Sequence, residues 1–98
     1  MNNISIHINI HGKGFFALLR GNRIIGKINF SLFDGELILL STVVPCRRNL
    51  IPIGIRIIEK AVEYARMHEL KVITVSKFVQ MQFSINPVLY ADVWEKKS

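Results

Sequence analysis

At 98 residues, half of them hydrophobic, the chain is long enough for one domain with its own core and too short for two. Thirteen Lys and Arg against seven Asp and Glu give a formal charge of +6, which favours an anionic partner: a nucleotide, a nucleic acid or an acidic surface. The lone cysteine, Cys46, excludes an internal disulfide, no signal peptide is visible, and the apolar runs are short and broken by charge. A cytoplasmic chain that spans no membrane is therefore expected, small enough that a homodimer is compatible with its size.

Ile4-Ser5-Ile6-His7-Ile8-Asn9-Ile10 alternates without a break, which predicts a strand with one dry and one wet face. His11 to Gly14 reads as a loop, and Phe15 to Arg20 as a second strand. Gly21-Asn22 predicts a tight turn into a long third strand, Arg23 to Phe33, where Gly26 invites a bend or bulge. Asp34-Gly35 predicts the next hairpin, and Glu36 to Val44 the fourth and most buried strand. Four strands joined by short turns make an antiparallel meander.

Pro45 ends the fourth strand. A helix is predicted from near Pro52 to about Met67, because proline suits the first helical position. Ile53, Ile57, Ala61, Tyr64 and Ala65 form its apolar stripe, while Arg56, Glu59, Lys60, Glu63 and Arg66 face water. Lys71 to Val75 predicts a short fifth strand, and the helix before it implies a crossover and hence a parallel pairing. Phe78 to Ile85 reads as a short helix stopped before Asn86-Pro87, followed by a tail with Tyr90 and Trp94. The fold class is α+β: a mixed, mostly antiparallel five-stranded sheet, one long helix, and one or two short helices.

The candidate site lies where the fourth strand meets the long helix. A helix start has unpaired N–H groups and a partial positive charge, and Arg47 and Arg48 stand just before this one. A strand delivering a basic turn onto a helix start predicts a phosphate cradle. If the fifth strand pairs beside the fourth and then diverges, a ligand groove opens at the same place. His7, His11 and His68 are too scattered to predict a metal site, so none is expected.

The order Thr42-Val43-Val44-Pro45, a six-residue loop, Ile53-Gly54, Ala61-Val62-Glu63-Tyr64-Ala65-Arg66, Leu70-Lys71-Val72, Phe78-Val79, Pro87 and Tyr90-Ala91-Asp92 resembles the small GCN5-related N-acetyltransferase-like proteins. The resemblance runs from Phe15 onward and is strongest from Thr42 to Phe78. It implies the acetyl-CoA-binding core of that superfamily. The diphosphate of coenzyme A would lie on Asn49-Leu50-Ile51-Pro52-Ile53-Gly54, and the pantetheine arm along the strand edge at Val43 and Val44. Arg47, Arg48 and Ile55 complete the implied cofactor-binding set. The main chain at Val43 would steady the oxyanion, Ser76 stands where the family often has a cysteine, and Tyr90 would act as a general acid. The pattern departs at Asn49, where Arg or Gln is usual, and at Pro52, where the first glycine is usual. Proline removes one donor and fixes φ near about −65°.

The implied function is an N-acetyltransferase moving acetyl from acetyl-CoA to an amine, with no metal and with an acceptor carried on a protein or peptide. Two other readings stand beside it. One is a weakened coenzyme A-binding or protein-interaction module, motivated by Asn49, Pro52 and Ser76. The other, ranked last because the aromatics fall on apolar faces, is a basic nucleic-acid-binding module.

Overall fold

The computed structural model describes residues 2–96; Met1, Lys97 and Ser98, which the one-domain expectation includes, lie outside the described residues. Five strands form one sheet in sequence order: β1 (Asn2–Ile8), β2 (Lys13–Arg20), β3 (Arg23–Phe33), β4 (Glu36–Val43) and β5 (Lys71–Thr74). The first three pairings are antiparallel, and β4 pairs with β5 in parallel. The long helix α1 (Leu50–Met67) makes the crossover, and α2 (Lys77–Ile85) and α3 (Pro87–Tyr90) follow.

Local chemistry accounts for where the elements stop. Strand β1 ends at Ile8, two residues before the alternation does, because the Asn9 side chain accepts from the N–H groups of His11 and Lys13 and closes a turn. That turn leaves Ile10 almost fully exposed. Asp34 and Gly35 both have positive φ (53° and 77°), as the hairpin turn requires. A 3-10 turn, Arg47–Asn49, fills the stretch expected to be loop, and α1 begins at Leu50 rather than Pro52. Proline is tolerated there because the third helical residue still has no N–H partner one turn back. The tail contains one more helical turn, α3, with Pro87 at its start.

All three helices pack on one face of the sheet. Phe16 and Leu18 of β2, Ile28 and Phe30 of β3, Leu37 and Leu39 of β4 and Val72 of β5 meet Ile53, Ile57, Ile58, Ala61, Val62 and Ala65 of α1. Val79, Phe83, Tyr90 and Val93 close the other end of this core. Gly26 lies opposite Leu18 beside the register shift in β3, and a Cβ there would sit 2.5 Å from Ile53. The predicted bulge therefore lets α1 lie close on the sheet. The opposite face carries Lys27, Asn29 and Ser41, with Asn29 donating to Ser41 Oγ at 2.8 Å.

The two sheet edges differ. Beside β5, Val72 N donates to Val93 O and Glu95 N to Val72 O, so the C-terminal segment covers that edge. Arg66 fixes the same segment to α1 through two bonds to the Asp92 carboxylate, at 2.9 and 3.1 Å, and one to Leu89 O. Strand β1 forms the other edge and pairs only with β2. Among the described residues no helix is long and apolar enough to cross a membrane.

Candidate functional site

Pairing between β4 and β5 runs from Glu36↔Lys71 to Leu39↔Thr74 and then stops. Leu39 O accepts from both Val75 N and Ser76 N, at 3.0 and 2.8 Å, as the chain turns out of β5 into α2. At the same level the β3–β4 register shifts, leaving Leu40 as an extra residue in β4. From Ser41 to Val43, β4 therefore pairs with β3 alone, Leu40 pairs with neither neighbour, and the other edge is open over Leu40 to Val43. Four residues of open strand span about 13 Å. Leu40, Val43 and Val75 are exposed beside this split, so its mouth is apolar.

On the core side the split is tied shut. Thr42 Oγ1 and Ser76 Oγ are 2.9 Å apart in a hydrogen bond across it. The Ser76 hydroxyl also accepts from Val79 N and so caps α2. Next to this bridge the Phe78 ring fills the space over Gly54, where a Cβ would overlap it. Gly54 thus serves close contact between α1 and the start of α2.

The open strand edge leads into the start of α1, where nothing offsets the positive pole. Asn49 caps without a side-chain bond, and the first turn holds no acid. Arg47 and Arg48 are exposed and, among the described residues, have no ion-pair partner. Three positions at this start offer no main-chain donor. Asn49 N already donates to Cys46 O at 2.9 Å, Leu50 N donates to Arg47 O, and Pro52 has no N–H. Within the first turn of α1, Ile51 keeps its N–H and Pro52 does not. Gly54, as the fifth helical residue, has its N–H inside the helical ladder. An anion here can meet the arginine side chains as well as the amides that open the 3-10 turn, which lie before its first internal bond.

The predicted cofactor residues Val43, Val44, Arg47, Arg48, Asn49, Leu50, Ile51, Ile53, Gly54 and Ile55 are contiguous from the strand end into the helix. Their exposures differ: Ile53 and Gly54 are buried, whereas Arg47, Arg48, Asn49 and Ile51 are exposed. Ser76 is nearly buried at the split itself. Tyr90 is part of the core, stacked on Phe83 with ring centroids 4.1 Å apart. Burial pushes its phenol above the ordinary range, the Glu59 carboxylate adds to this, and Arg66 opposes it. Cys46 is an exposed free thiol on the turn. Among the described residues no group of three or more His, Cys, Asp or Glu could hold a metal ion.

Sequence reasoning missed two features. Leu40 carries the bulge, and its neighbours Leu39 and Ser41 give no glycine or turn signal. Arg20, Arg23 and Arg56 also belong to this end of the molecule. Lys27 pairs with Val43, so the β2–β3 turn lies beside the end of β4. Two adjoining cavities, about 200 Å³ and about 230 Å³, open between that turn and α1 and share Arg20, Ile25, Asn49 and Ile53. Of the six arginines in the chain, five (Arg20, Arg23, Arg47, Arg48, Arg56) gather here. The meander places them, and no local motif announces it. A separate cavity of about 300 Å³ between β5, α2 and the C-terminal segment is lined by Thr74, Gln80, Ser84 and Trp94.

No protein-family model matches the chain, and no curated protein is similar to it in sequence. Among solved structures it is similar to the solution structure of a GCN5-like, provisionally assigned N-acetyltransferase from Staphylococcus aureus. The two are 23% identical and superpose with a TM-score of 0.68 over 100% of this chain and 94% of the other. Full-length superposition at that identity establishes architecture alone: the chain has the GCN5-related N-acetyltransferase fold.

Proposed function

We propose that this protein binds a coenzyme A thioester at the β4–β5 split and transfers its acetyl group to an amine. The observation that carries the proposal is the open β4 edge, Leu40–Val43, running straight into an arginine-flanked helix start with no acid in its first turn. A pantetheine arm has amides spaced to pair with such an edge as an added strand. The diphosphate then meets the positive pole of α1, the Ile51 amide and the side chains of Arg47 and Arg48.

The reaction is direct attack of the amine on the thioester carbonyl, with the thiolate leaving and a general base, a protein group or a water, taking the ammonium proton. The oxyanion needs a main-chain donor beside the thioester. Val43 lies at the diphosphate end of the edge, and the bulge at Leu40 offers unpaired main chain at the other end. Ser76 holds the split together through Thr42, and Tyr90 anchors α3 through Phe83, so the reaction does not require Ser76 as a nucleophile or Tyr90 as the general acid. No metal enters this chemistry. The acceptor is an amine on a protein or peptide, because the sheet face opposite the helices carries no element that would build a closed acceptor pocket among the described residues. The chain works as a single domain in the cytoplasm. The unblunted edge of β1, without Lys, Pro or a bulge, suits pairing with a second copy. Sedimentation would show a dimer that Ile6→Lys splits, and a monomer at high concentration would remove the idea.

A second reading is favoured by one observation: Pro52 offers no donor, and Phe78 covers Gly54. These features fit a weakened diphosphate cradle, as in a coenzyme A-binding or protein-interaction module. Free-thiol release from acetyl-CoA with a panel of amines and lysine peptides separates the two. Turnover well above the uncatalysed rate supports the transferase, and calorimetric binding with no thiol release supports the binding module. Calorimetry with no binding at millimolar acetyl-CoA would defeat both.

A further inference from the structure

The groove between the β2–β3 turn and α1 has a composition that fold alone does not explain. Arg20 and Arg23 stand directly opposite each other in register at the end of the hairpin. Like charges paired across strands are destabilising. Arg20 and Arg56 converge on one cavity, and Arg20 and Arg23 on the adjoining one. None of the three makes an ion pair or side-chain hydrogen bond among the described residues. No Asp or Glu lines either cavity, whereas Ile25 and Ile53 line both. Three guanidinium groups beside a small hollow, with no counter-charge, fit a compact dianion attached to an organic group. Arginine rather than lysine suits the bidentate geometry of phosphate.

We infer that this groove is a phosphate-monoester site formed by Arg20, Arg23 and Arg56, distinct from the diphosphate position at Arg47 to Ile51. Resting on the thioester proposed above, it takes the 3′-phosphate of the coenzyme A nucleotide. Asn49 borders both cavities and also caps α1, so the two phosphate positions adjoin across one residue. The monoester contacts also replace part of what Pro52, which has no N–H, does not supply.

The test is calorimetric titration of the full chain, as wild type, Arg20→Ala and Arg23→Ala, with coenzyme A and with 3′-dephospho-coenzyme A. Wild type should prefer coenzyme A by about tenfold to a hundredfold, as expected for a lost charge-assisted contact. Each variant should lose that preference while keeping its affinity for the dephospho compound. Thermal stability of the free variants should be unchanged or raised, because a like-charge pair has been removed. Equal wild-type affinity for the two nucleotides would overturn the site, as would an equal weakening of both by the substitutions. Binding of neither nucleotide would overturn the function proposed above. The groove then stands or falls on inorganic phosphate, which must shift the Arg23 and Asn49 amides in wild type and not in Arg23→Ala.

Discussion

Replacing Ser76 by alanine separates a structural hydroxyl from a chemical one. The hydroxyl bonds Thr42 Oγ1 at 2.9 Å across the β4–β5 split and accepts from Val79 N at 3.4 Å. The first bond is short and half-buried, and its loss should cost about 1 kcal/mol. The cap bond is long, so its share falls in the lower part of the usual range, about 0.5–1 kcal/mol. Ser76→Ala should therefore lower unfolding free energy by about 1.5–2 kcal/mol, or about 6–16 °C in Tm for a chain of this size. Thr42→Val provides the second arm of a double-mutant cycle. In that background Ser76→Ala should cost only the cap contribution, giving a coupling of about 1 kcal/mol. Urea unfolding followed by far-UV circular dichroism reads all four proteins of the cycle. The reasoning is refuted if Ser76→Ala costs less than about 0.5 kcal/mol, or costs as much in the Thr42→Val background as in wild type. Loss of turnover with stability intact would return Ser76 to a chemical role.

Gly54→Ala should destabilise the protein by about 1–3 kcal/mol despite alanine's better helix propensity, because its Cβ meets the Phe78 ring. Phe78→Leu in the same chain should recover part of the loss, and chemical denaturation of the two variants would show whether it does. Asp92 is held below the ordinary carboxylate range by its hydrogen bonds from Arg66. Its contribution is therefore present above its unfolded pKa and lost as pH falls through the lower folded value, in the acid range below about pH 4. Asp92→Asn should lower Tm slightly at neutral pH, the pair being surface-exposed, and match wild type in strong acid. A Tm gap independent of pH would contradict this.

Much of the architecture was legible because each signal was local and strong. Alternation in Ile4 to Ile8, the Asp34-Gly35 turn and the apolar stripe from Ile53 to Ala65 each act within a few residues. The parallel β4–β5 pairing followed from the intervening helix. What escaped was set by tertiary geometry. The extra residue Leu40 has no turn chemistry around it, and the Gly54–Phe78 contact joins residues 24 positions apart. Arg20 and Arg23 became site residues because a hairpin turn two strands away folds beside the end of β4. Pro52 misled by two residues, since the first helical turn tolerates proline throughout. For the site, the strand-to-helix passage and its two arginines were readable, and the partners that frame them were not.

The most direct measurement is a ¹⁵N-resolved NMR titration of the full chain with acetyl-CoA. The expected result is a set of amide shifts running from Leu40 through Val43 and Val44 to Arg47, Arg48 and Ile51, with the β3–β4 turn at Asp34-Gly35 unmoved. Shifts confined to other surfaces, or none at millimolar ligand, would contradict acyl-carrier binding at the β4–β5 split.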